Sequence, residues 1–204
     1  MRPILIVHAS QYGQTEKIAD RIASGLHAEG VDGVVMAARA VPVTIDLTAF
    51  SGVIVAAPVI MQAHPKAARR FVVAHRVMLD KRPTAFVSVS GSAAGKELRH
   101  ALACERMIEK FLQRTDWQPT RTASFAGAYS YTKYRPLVKW MMRWIAKREG
   151  APTDTSRDYE FTDWNAVDMF AIDFAALVRE SEGEPSRRMS VMRATPRSVV
   201  TSGR

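Results

Sequence analysis

The stretch that decides the fold of this chain reads Val7-His8-Ala9-Ser10-Gln11-Tyr12-Gly13-Gln14-Thr15-Glu16. The apolar run before it, residues 3–7, predicts a buried strand, and the apolar residues after it, Ile18, Ile22 and Leu26, have helical spacing. A turn from a strand into a helix presents backbone N–H groups that can bind an anion. The stretch therefore predicts a phosphate-binding turn.

This turn differs from two common phosphate loops. It has one glycine and no lysine, whereas the nucleotide loop needs Gly-Lys-Ser/Thr and the dinucleotide loop needs three spaced glycines. It resembles the loop of flavodoxin-like proteins, in which uncharged hydroxyls and amides hold the phosphate of FMN. The residues that match are Ser10, Tyr12, Gly13 and Thr15, with Gln11 and Gln14 between them. The alternative is an ordinary helix cap, since Ser, Thr and Gly are common at helix starts.

Length and composition indicate one α/β domain with an addition. The chain has 204 residues, 47% of them hydrophobic, and a single cysteine, Cys104, which excludes an internal disulfide and is expected to fill the core. No His/Cys cluster has metal-ligand spacing, so no metal site is predicted. An apolar run of about 18 residues is absent, as is a cleavable signal pattern, so the expected location is the cytoplasm.

The chain is strongly basic, with a net charge of +9. This excess indicates an anionic partner, which could be a nucleic acid, a lipid surface, or a carboxylated or phosphorylated ligand. A nucleic-acid role is not favoured because no recognised binding module is present. Residues 181–204, rich in Ser, Pro and Arg, are expected to form a disordered basic tail that carries part of the charge.

Strand and helix patterns alternate along residues 1–180, which predicts one doubly wound α/β domain with a parallel sheet. The predicted strands are 3–7, 31–37, 53–57, 84–89 and 122–126, and the predicted helices are 16–30, 64–79, 96–114 and 164–179. Five such strands with a phosphate turn after the first favour a flavodoxin-like sheet of order 2-1-3-4-5. The ligand crevice then lies beyond the carboxyl ends of strands 1 and 3.

Three loops leave the sheet at this crevice, residues 9–15, 57–64 and 89–95. Those after strands 3 and 4 are predicted to contact the isoalloxazine ring of FMN, the first along its face and the second at its polar edge through backbone groups. The residues concerned are Pro58, Val59, Ile60 and Met61, then Ser90, Gly91 and Ser92. Each could instead be an ordinary surface loop.

Residues 129–161 form a long insert after strand 5, with a predicted basic amphipathic helix at 136–148. Its apolar residues at helical spacing are Leu137, Trp140, Met141, Trp144 and Ile145. Lys139 and Arg143 lie on the opposite face. One interpretation is docking on an anionic membrane surface at the inner face of the cell membrane. The other is a helix packed on its own sheet, with basic residues in water.

The insert and its exit carry a specific resemblance. The segments Ala126-Gly127-Ala128-Tyr129, Tyr134-Arg135, Gly150-Ala151-Pro152-Thr153-Asp154-Thr155 and Thr162-Asp163-Trp164 resemble the menaquinone-dependent protoporphyrinogen oxidase (dehydrogenase) family of bacteria. The likeness covers roughly residues 3–178. It implies a flavodoxin-like fold, FMN as the cofactor, and oxidation of protoporphyrinogen IX in haem synthesis with electrons passing to a membrane quinone.

The resemblance assigns the phosphate to residues 10–15, and the ring and substrate to 58–61, 90–92 and the insert up to Thr153 and Asp154. Loop convergence and charge add a hypothesis of their own, in which Lys133 and Arg135 bind the two propionates at the edge of an apolar face. His64 could shuttle protons near the ring or could be a surface residue before Pro65. His8 is expected to be a packed structural residue.

Two other functions stay open from the sequence. An NAD(P)H-dependent quinone reductase would need a nicotinamide site, for which the sequence has no feature. A flavodoxin-type electron carrier typically presents an acidic rim to basic partners, opposite in sign to this chain.

Overall fold

The computed structural model describes residues 1–91, 93, 98–148 and 151–183. The elements, in chain order, are β1 (Ile4–His8), α1 (Gln14–Ala28), β2 (Gly33–Ala37), β3 (Gly52–Pro58), α2 (Lys66–Leu79), β4 (Thr84–Ser90), α3 (Leu98–Thr115), β5 (Arg121–Ala126), β6 (Ala128–Tyr129), α4 (Pro136–Arg148), β7 (Tyr159–Glu160) and α5 (Trp164–Ser181). Short 3₁₀ helices cover Leu47–Ala49 and Tyr131–Lys133. The predicted tail from 184 onwards and Ser92 lie outside the described residues.

The five long strands form one parallel sheet of order β2-β1-β3-β4-β5. In its register, Ile4 of β1 lies opposite Gly33 of β2 and Gly52 of β3. The predicted fold class and strand order are confirmed. The carboxyl ends of β1, β3 and β4 therefore meet at one edge of the sheet, where the winding direction reverses.

Alternation along each strand divides the core between the two faces of the sheet. On β1, Ile4 and Ile6 pack with residues of α1 and α5, whereas Leu5 and Val7 pack with residues of α2 and α3. Successive side chains of a strand point to opposite faces, so a sheet covered on both sides needs continuous apolar strands. This requirement explains why β1, from Ile4 to Val7, and β3 are continuously apolar, without the alternation typical of a half-exposed sheet.

The second strand begins at Gly33, later than the predicted Val31. Helix α1 ends in a Schellman motif, in which Gly30 N donates to His27 O and Val31 N donates to Leu26 O. Gly30 has a φ of 77°, the left-handed conformation that this motif requires. Val31 is therefore the apolar residue that closes the helix, and its backbone is not available to the sheet.

The insert has a small core of its own. Strands β6 and β7 pair antiparallel and join its two ends, so that Tyr129 lies opposite Tyr159. Its buried residues are Tyr129, Tyr131, Tyr134 and Ala146. Tyr12 of the phosphate turn packs against this cluster, which ties the insert to the edge of the sheet.

Candidate flavin site

The turn after β1 presents an uncapped helix N-terminus. Gly13 is the N-cap of α1, with a φ of 99°, and no side chain caps the helix there. Within the turn, Gly13 N donates to Ser10 Oγ at 3.1 Å. The first N–H groups of α1 therefore face a glycine that has no Cβ to block an approaching anion. This geometry fits a phosphate group, as the sequence predicts.

The turn is braced by residues far away in the sequence. Gln14 Nε2 donates to Thr162 Oγ1 at 2.8 Å, and Thr162 Oγ1 donates to Ala126 O at 2.8 Å. The rings of Tyr12 and Tyr134 meet edge to face, with 4.7 Å between their centroids. The turn is thus held by Thr162, which lies just before the cap of α5 and is bonded to the end of β5, and by Tyr134 of the insert. The cap of α5 is formed by the next residue, Asp163, which accepts from Ala166 N.

Lys133 lies over the phosphate turn. Its Nζ donates to Tyr12 O at 3.2 Å and is 3.3 Å from the point that a Cβ on Gly13 would occupy. The charge pattern predicts that Lys133 and Arg135 lie together at the substrate edge. Lys133 reaches back to the turn, whereas Arg135 is exposed just before α4.

The loop after β3 ends in a tight two-residue turn. Val59 N donates to Val89 O at 2.7 Å, and Ile60 and Ala63 exchange backbone hydrogen bonds. Met61 and Gln62 between them both have positive φ angles, 49° and 59°. Met61 is 75% exposed. The turn therefore holds an apolar side chain in the open beside the crevice.

The loop after β4 is tied to β5 and to the insert. Ser90 O accepts from Gly127 N at 3.1 Å, and Ser90 Oγ accepts from Ala93 N at 3.2 Å. The Tyr129 hydroxyl lies 3.1 Å from the point that a Cβ on Gly91 would occupy. Ser90 is buried, so its hydroxyl supports the loop from inside.

His64 is half-buried, so its side chain is neither fully exposed nor part of the fully buried core. Its ring packs against Phe86 and Phe111, with centroid distances of 5.0 Å and 5.1 Å. Its Nε2 lies 3.0 Å from Ser88 Oγ. Burial lowers the pKa of His64 from 6.5 to about 4, because the charged form loses its hydration. The imidazole is therefore neutral at pH 7 and is directed into the α2–α3 side of the core.

Two other predicted core residues are where they were expected. His8 is buried at the end of β1 and its Nδ1 accepts from Ser10 N at 3.4 Å. Cys104 is buried on α3, 3.6 Å from Ser90 Oγ. Both side chains thus support the loops at the crevice from below.

Thr153 and Asp154 lie at the exit of the insert. Asp154 Oδ1 accepts from Ser156 N and from Ser156 Oγ, which lowers the pKa of its carboxyl. The Tyr131 hydroxyl donates to Pro152 O at 2.8 Å, so the segment is fixed on the tyrosine cluster. Among the described residues, the bonds of Asp154 are made with Ser156 and Arg157 and remain within the insert.

Helix α4 has one row of side chains that is packed and another that is exposed to solvent. Val138, Met142 and Ala146 contact the tyrosine cluster. The large apolar side chains on its outer side are Leu137, Trp140 and Trp144, which are 78%, 69% and 56% exposed. The helix therefore packs on the rest of the insert through Val138, Met142 and Ala146, which do not belong to the apolar face predicted from the sequence. Across the described residues, no helix is both long and apolar enough to span a bilayer.

The comparisons with known proteins agree with this geometry. A family profile described as a flavodoxin domain matches residues 5–156. The chain is 31% identical over 173 residues to protoporphyrinogen IX dehydrogenase (quinone) of Escherichia coli strain K12, covering 85% of this chain and 94% of the relative. It is 35% identical over 107 residues to the protein of that name from Leishmania major, covering 52% of this chain and 46% of the relative.

Among solved structures, a flavodoxin from the domain Archaea superposes with a TM-score of 0.51 at 15% identity, over 87% of this chain and 99% of that one. At this identity the likeness concerns the fold alone. The family profile, by contrast, matches the turn, the loops and most of the insert. Membership supports binding of a flavin at the carboxyl edge of the sheet, where the uncapped turn lies. The chain belongs to the flavodoxin-domain family, and within it to the oxidoreductase family of protoporphyrinogen IX dehydrogenase (quinone).

Proposed function

We propose that this protein uses FMN to oxidise protoporphyrinogen IX to protoporphyrin IX in haem synthesis, and that a membrane quinone accepts the electrons. The observation that carries the proposal is the turn after β1, with its uncapped helix start and the left-handed Gly13. The relatives named for this reaction support the substrate and the acceptor, since the chain covers 94% of the Escherichia coli protein.

The FMN phosphate binds at the turn, through the hydroxyl of Ser10 and the first amides of α1. A phosphate there interacts favourably with the positive end of the helix dipole. The turn is held by the bond between Gln14 and Thr162, so the amides are oriented before the ligand arrives. FMN fits this site better than a nucleoside triphosphate does, because no Gly-Lys-Ser/Thr sequence is present.

The ring of FMN lies between the loops after β3 and β4, with Thr153 and Asp154 at the insert side. Pro58 and Val59 border it from one loop, and Ser90 and Gly91 from the other. The bond from Val59 N to Val89 O ties the start of the first loop to the end of β4, just before the second loop begins. When bound, the flavin supplies the capacity to accept hydrogen from the substrate and to pass electrons to a quinone.

The substrate face is apolar and open. Protoporphyrinogen is a flexible apolar macrocycle with two propionates, so it needs an apolar surface with a basic edge. Val59, Ile60 and Met61 offer the apolar surface, and Met61 is held outwards by its tight turn. Arg135, exposed just before α4, is a basic residue that could pair with a propionate. The protein's task is to orient the macrocycle, because the redox chemistry belongs to the cofactor.

Helix α4 docks on an anionic bilayer in this proposal. Its outer stripe of Leu137, Trp140 and Trp144 is exposed, and tryptophan is favoured at the membrane interface. Arg143 and Lys147 on the same helix are exposed and basic, which complements anionic head groups. A quinone dissolved in that bilayer would then be close to the flavin site.

The test is an assay of purified protein without oxygen. The protein is saturated with FMN, its flavin spectrum is recorded, and protoporphyrin fluorescence is followed with and without a soluble menaquinone analogue. We expect porphyrin to form only when protein and quinone are both present. A flavin-loaded protein that leaves porphyrinogen unchanged would overturn the proposal, and rapid bleaching of the flavin by NADPH would indicate a quinone reductase instead.

A further inference from the structure

The insert delivers a lysine to a phosphate turn that is otherwise uncharged. Lys133 Nζ donates to Tyr12 O at 3.2 Å and lies 3.3 Å from the Cβ position of Gly13. Gly13 is also the N-cap of α1, where the phosphate is proposed to bind. The ammonium group therefore lies beside the atoms that would surround a phosphate.

The backbone that carries Lys133 is fixed at several points. It ends a 3₁₀ helix whose first residue, Tyr131, donates through its hydroxyl to Pro152 O. Thr132 donates from both N and Oγ1 to Asp158 Oδ1 at 2.9 Å. The position of Lys133 thus follows from the packing of the insert, and a ligand at the turn would find the ammonium already nearby.

The charge of Lys133 is not neutralised within the part of the chain that the structure describes. Its hydrogen bond there goes to a neutral carbonyl, and it forms no ion pair with a described carboxylate. An ammonium group has three donors, of which this bond uses one. The group therefore keeps the capacity to bind an anion. An oxygen that carries a formal charge is a stronger acceptor than the carbonyl it now contacts.

We infer that Lys133 is a ligand of the FMN phosphate and makes the site select FMN over riboflavin. The inference rests on the proposed function, because it assumes that FMN binds at this turn. It assigns to the insert a role in cofactor binding, in place of the propionate role predicted for Lys133. Lys133 thus adds a positive charge to a turn whose other groups are neutral. It comes from a distant segment, 121 positions after Tyr12.

The experiment compares FMN with riboflavin, which lacks the phosphate. Flavin is removed from the purified protein, and each flavin is titrated back while its fluorescence is recorded at low and high KCl. The variant Lys133→Met removes the charge and keeps the length, and Lys133→Arg keeps the charge. Lys110→Met is the matched control, since Lys110 is an exposed lysine on α3.

We expect Lys133→Met to raise the Kd for FMN about tenfold and to leave the Kd for riboflavin unchanged, since a charge-assisted hydrogen bond is lost. Lys133→Arg should stay close to the parent, and Lys110→Met should match it for both flavins. The affinity for FMN should depend less on KCl in Lys133→Met, because this variant lacks the charge attraction that salt screens.

Two results would overturn the inference while leaving the proposed function in place. One is equal weakening of FMN and riboflavin in Lys133→Met, which would indicate a structural role for the lysine. The other is no change for either flavin. If the parent protein binds neither flavin, the proposed function and the inference both fall.

Discussion

Gln14 and Thr162, 148 positions apart in the sequence, are joined by a hydrogen bond of 2.8 Å from the side-chain amide to the hydroxyl. The same hydroxyl donates to Ala126 O at the end of β5. One side chain thus connects the phosphate turn, the last strand of the main sheet and the start of α5. This connection explains how the insert can leave and return without loosening the edge of the sheet.

Replacing Thr162 by valine tests that connection. The change leaves the Gln14 amide and the Ala126 carbonyl without their partner in a partly buried place, which costs about 1–3 kcal/mol of unfolding free energy. We also expect weaker FMN binding, because Gln14 begins the helix whose first amides are proposed to hold the phosphate. Urea unfolding and FMN titration measure the two effects. Thr162→Ser, which keeps the hydroxyl, is the control, and equal losses in both variants would contradict the role of the bond.

Alanine substitutions at Gly13 and Gly30 distinguish the effect of backbone strain on stability from an effect on ligand binding. Both have positive φ angles, 99° and 77°, at opposite ends of α1. An alanine in this conformation costs about 1–2 kcal/mol, so Gly13→Ala and Gly30→Ala should lose similar stability. A Cβ on Gly30 would meet no atom within 4 Å, whereas one on Gly13 would lie beside Lys133 Nζ.

We therefore expect only Gly13→Ala to lose FMN affinity, by at least about tenfold. Flavin fluorescence titration of both variants, with urea unfolding in parallel, checks this. If Gly30→Ala weakens FMN binding as much as Gly13→Ala does, general destabilisation explains the loss and the turn is not the phosphate site.

The fold could be predicted from the sequence because its signals are local. Residues such as Ile4 to Val7 are apolar without interruption, and alternation of strands with amphipathic segments is sufficient for a parallel sheet. The largest displacement of a strand start, from the predicted Val31 to Gly33, reflects a competing local rule, the closure of α1 by a Schellman motif. The tiny strands β6 and β7 were missed because two residues carry no periodicity.

The site was predictable where it is local and not where it depends on long-range contacts. Turn 10–15 has a sequence pattern, so its place at the end of β1 could be predicted. The position of Lys133 over that turn depends on the packing of Tyr12 against Tyr134, for which no spacing rule exists. The contacts of His64 could not be predicted because the Phe86 and Phe111 rings that it packs against come from later elements.

The buried His64 makes stability depend on pH. Its pKa in the folded protein is about 4, below the ordinary value of 6.5, so the unfolded chain binds a proton first as the pH falls. The stability present above pH 6.5 is therefore lost as the pH falls towards 4, and the loss at pH 5 relative to pH 7 is about 2 kcal/mol. His64→Gln removes the titrating group and keeps a donor for Ser88 Oγ.

Urea unfolding at pH 7 and pH 5 should show a loss that is smaller by about 2 kcal/mol in His64→Gln than in the parent. His27→Gln is the control, because His27 is an exposed residue at the end of α1, paired with Asp32. An unchanged pH dependence in His64→Gln would mean that the imidazole is hydrated, and its place between the two phenylalanines would then be wrong.

The turn at Met61 and Gln62 carries strain that can be relieved. Both residues have positive φ angles, as in the type I′ turns that favour Asn-Gly. Replacing the pair by Asn-Gly should raise the free energy of unfolding by about 1 kcal/mol, since left-handed residues other than glycine and asparagine are costly. Thermal unfolding measures the gain. The same variant should raise the KM for porphyrinogen, because the exposed Met61 side chain is lost from the substrate face. A stabilised variant with unchanged KM would remove Met61 from that face.

The exposed apolar residues of α4 could contact a lipid surface or a protein partner, and vesicle binding distinguishes the two. Trp140→Ser with Trp144→Ser should weaken binding to vesicles containing phosphatidylglycerol at least about tenfold, because burial of two tryptophans at the interface is lost. Val73→Ser with Val77→Ser on α2, which removes two exposed apolar residues elsewhere, should bind like the parent. Co-sedimentation with vesicles of phosphatidylcholine alone gives the contribution of charge, since Arg143 and Lys147 need anionic head groups. Equal sedimentation of both double variants with anionic vesicles would show that α4 does not contact the bilayer, and its tryptophans would then belong to a protein interface.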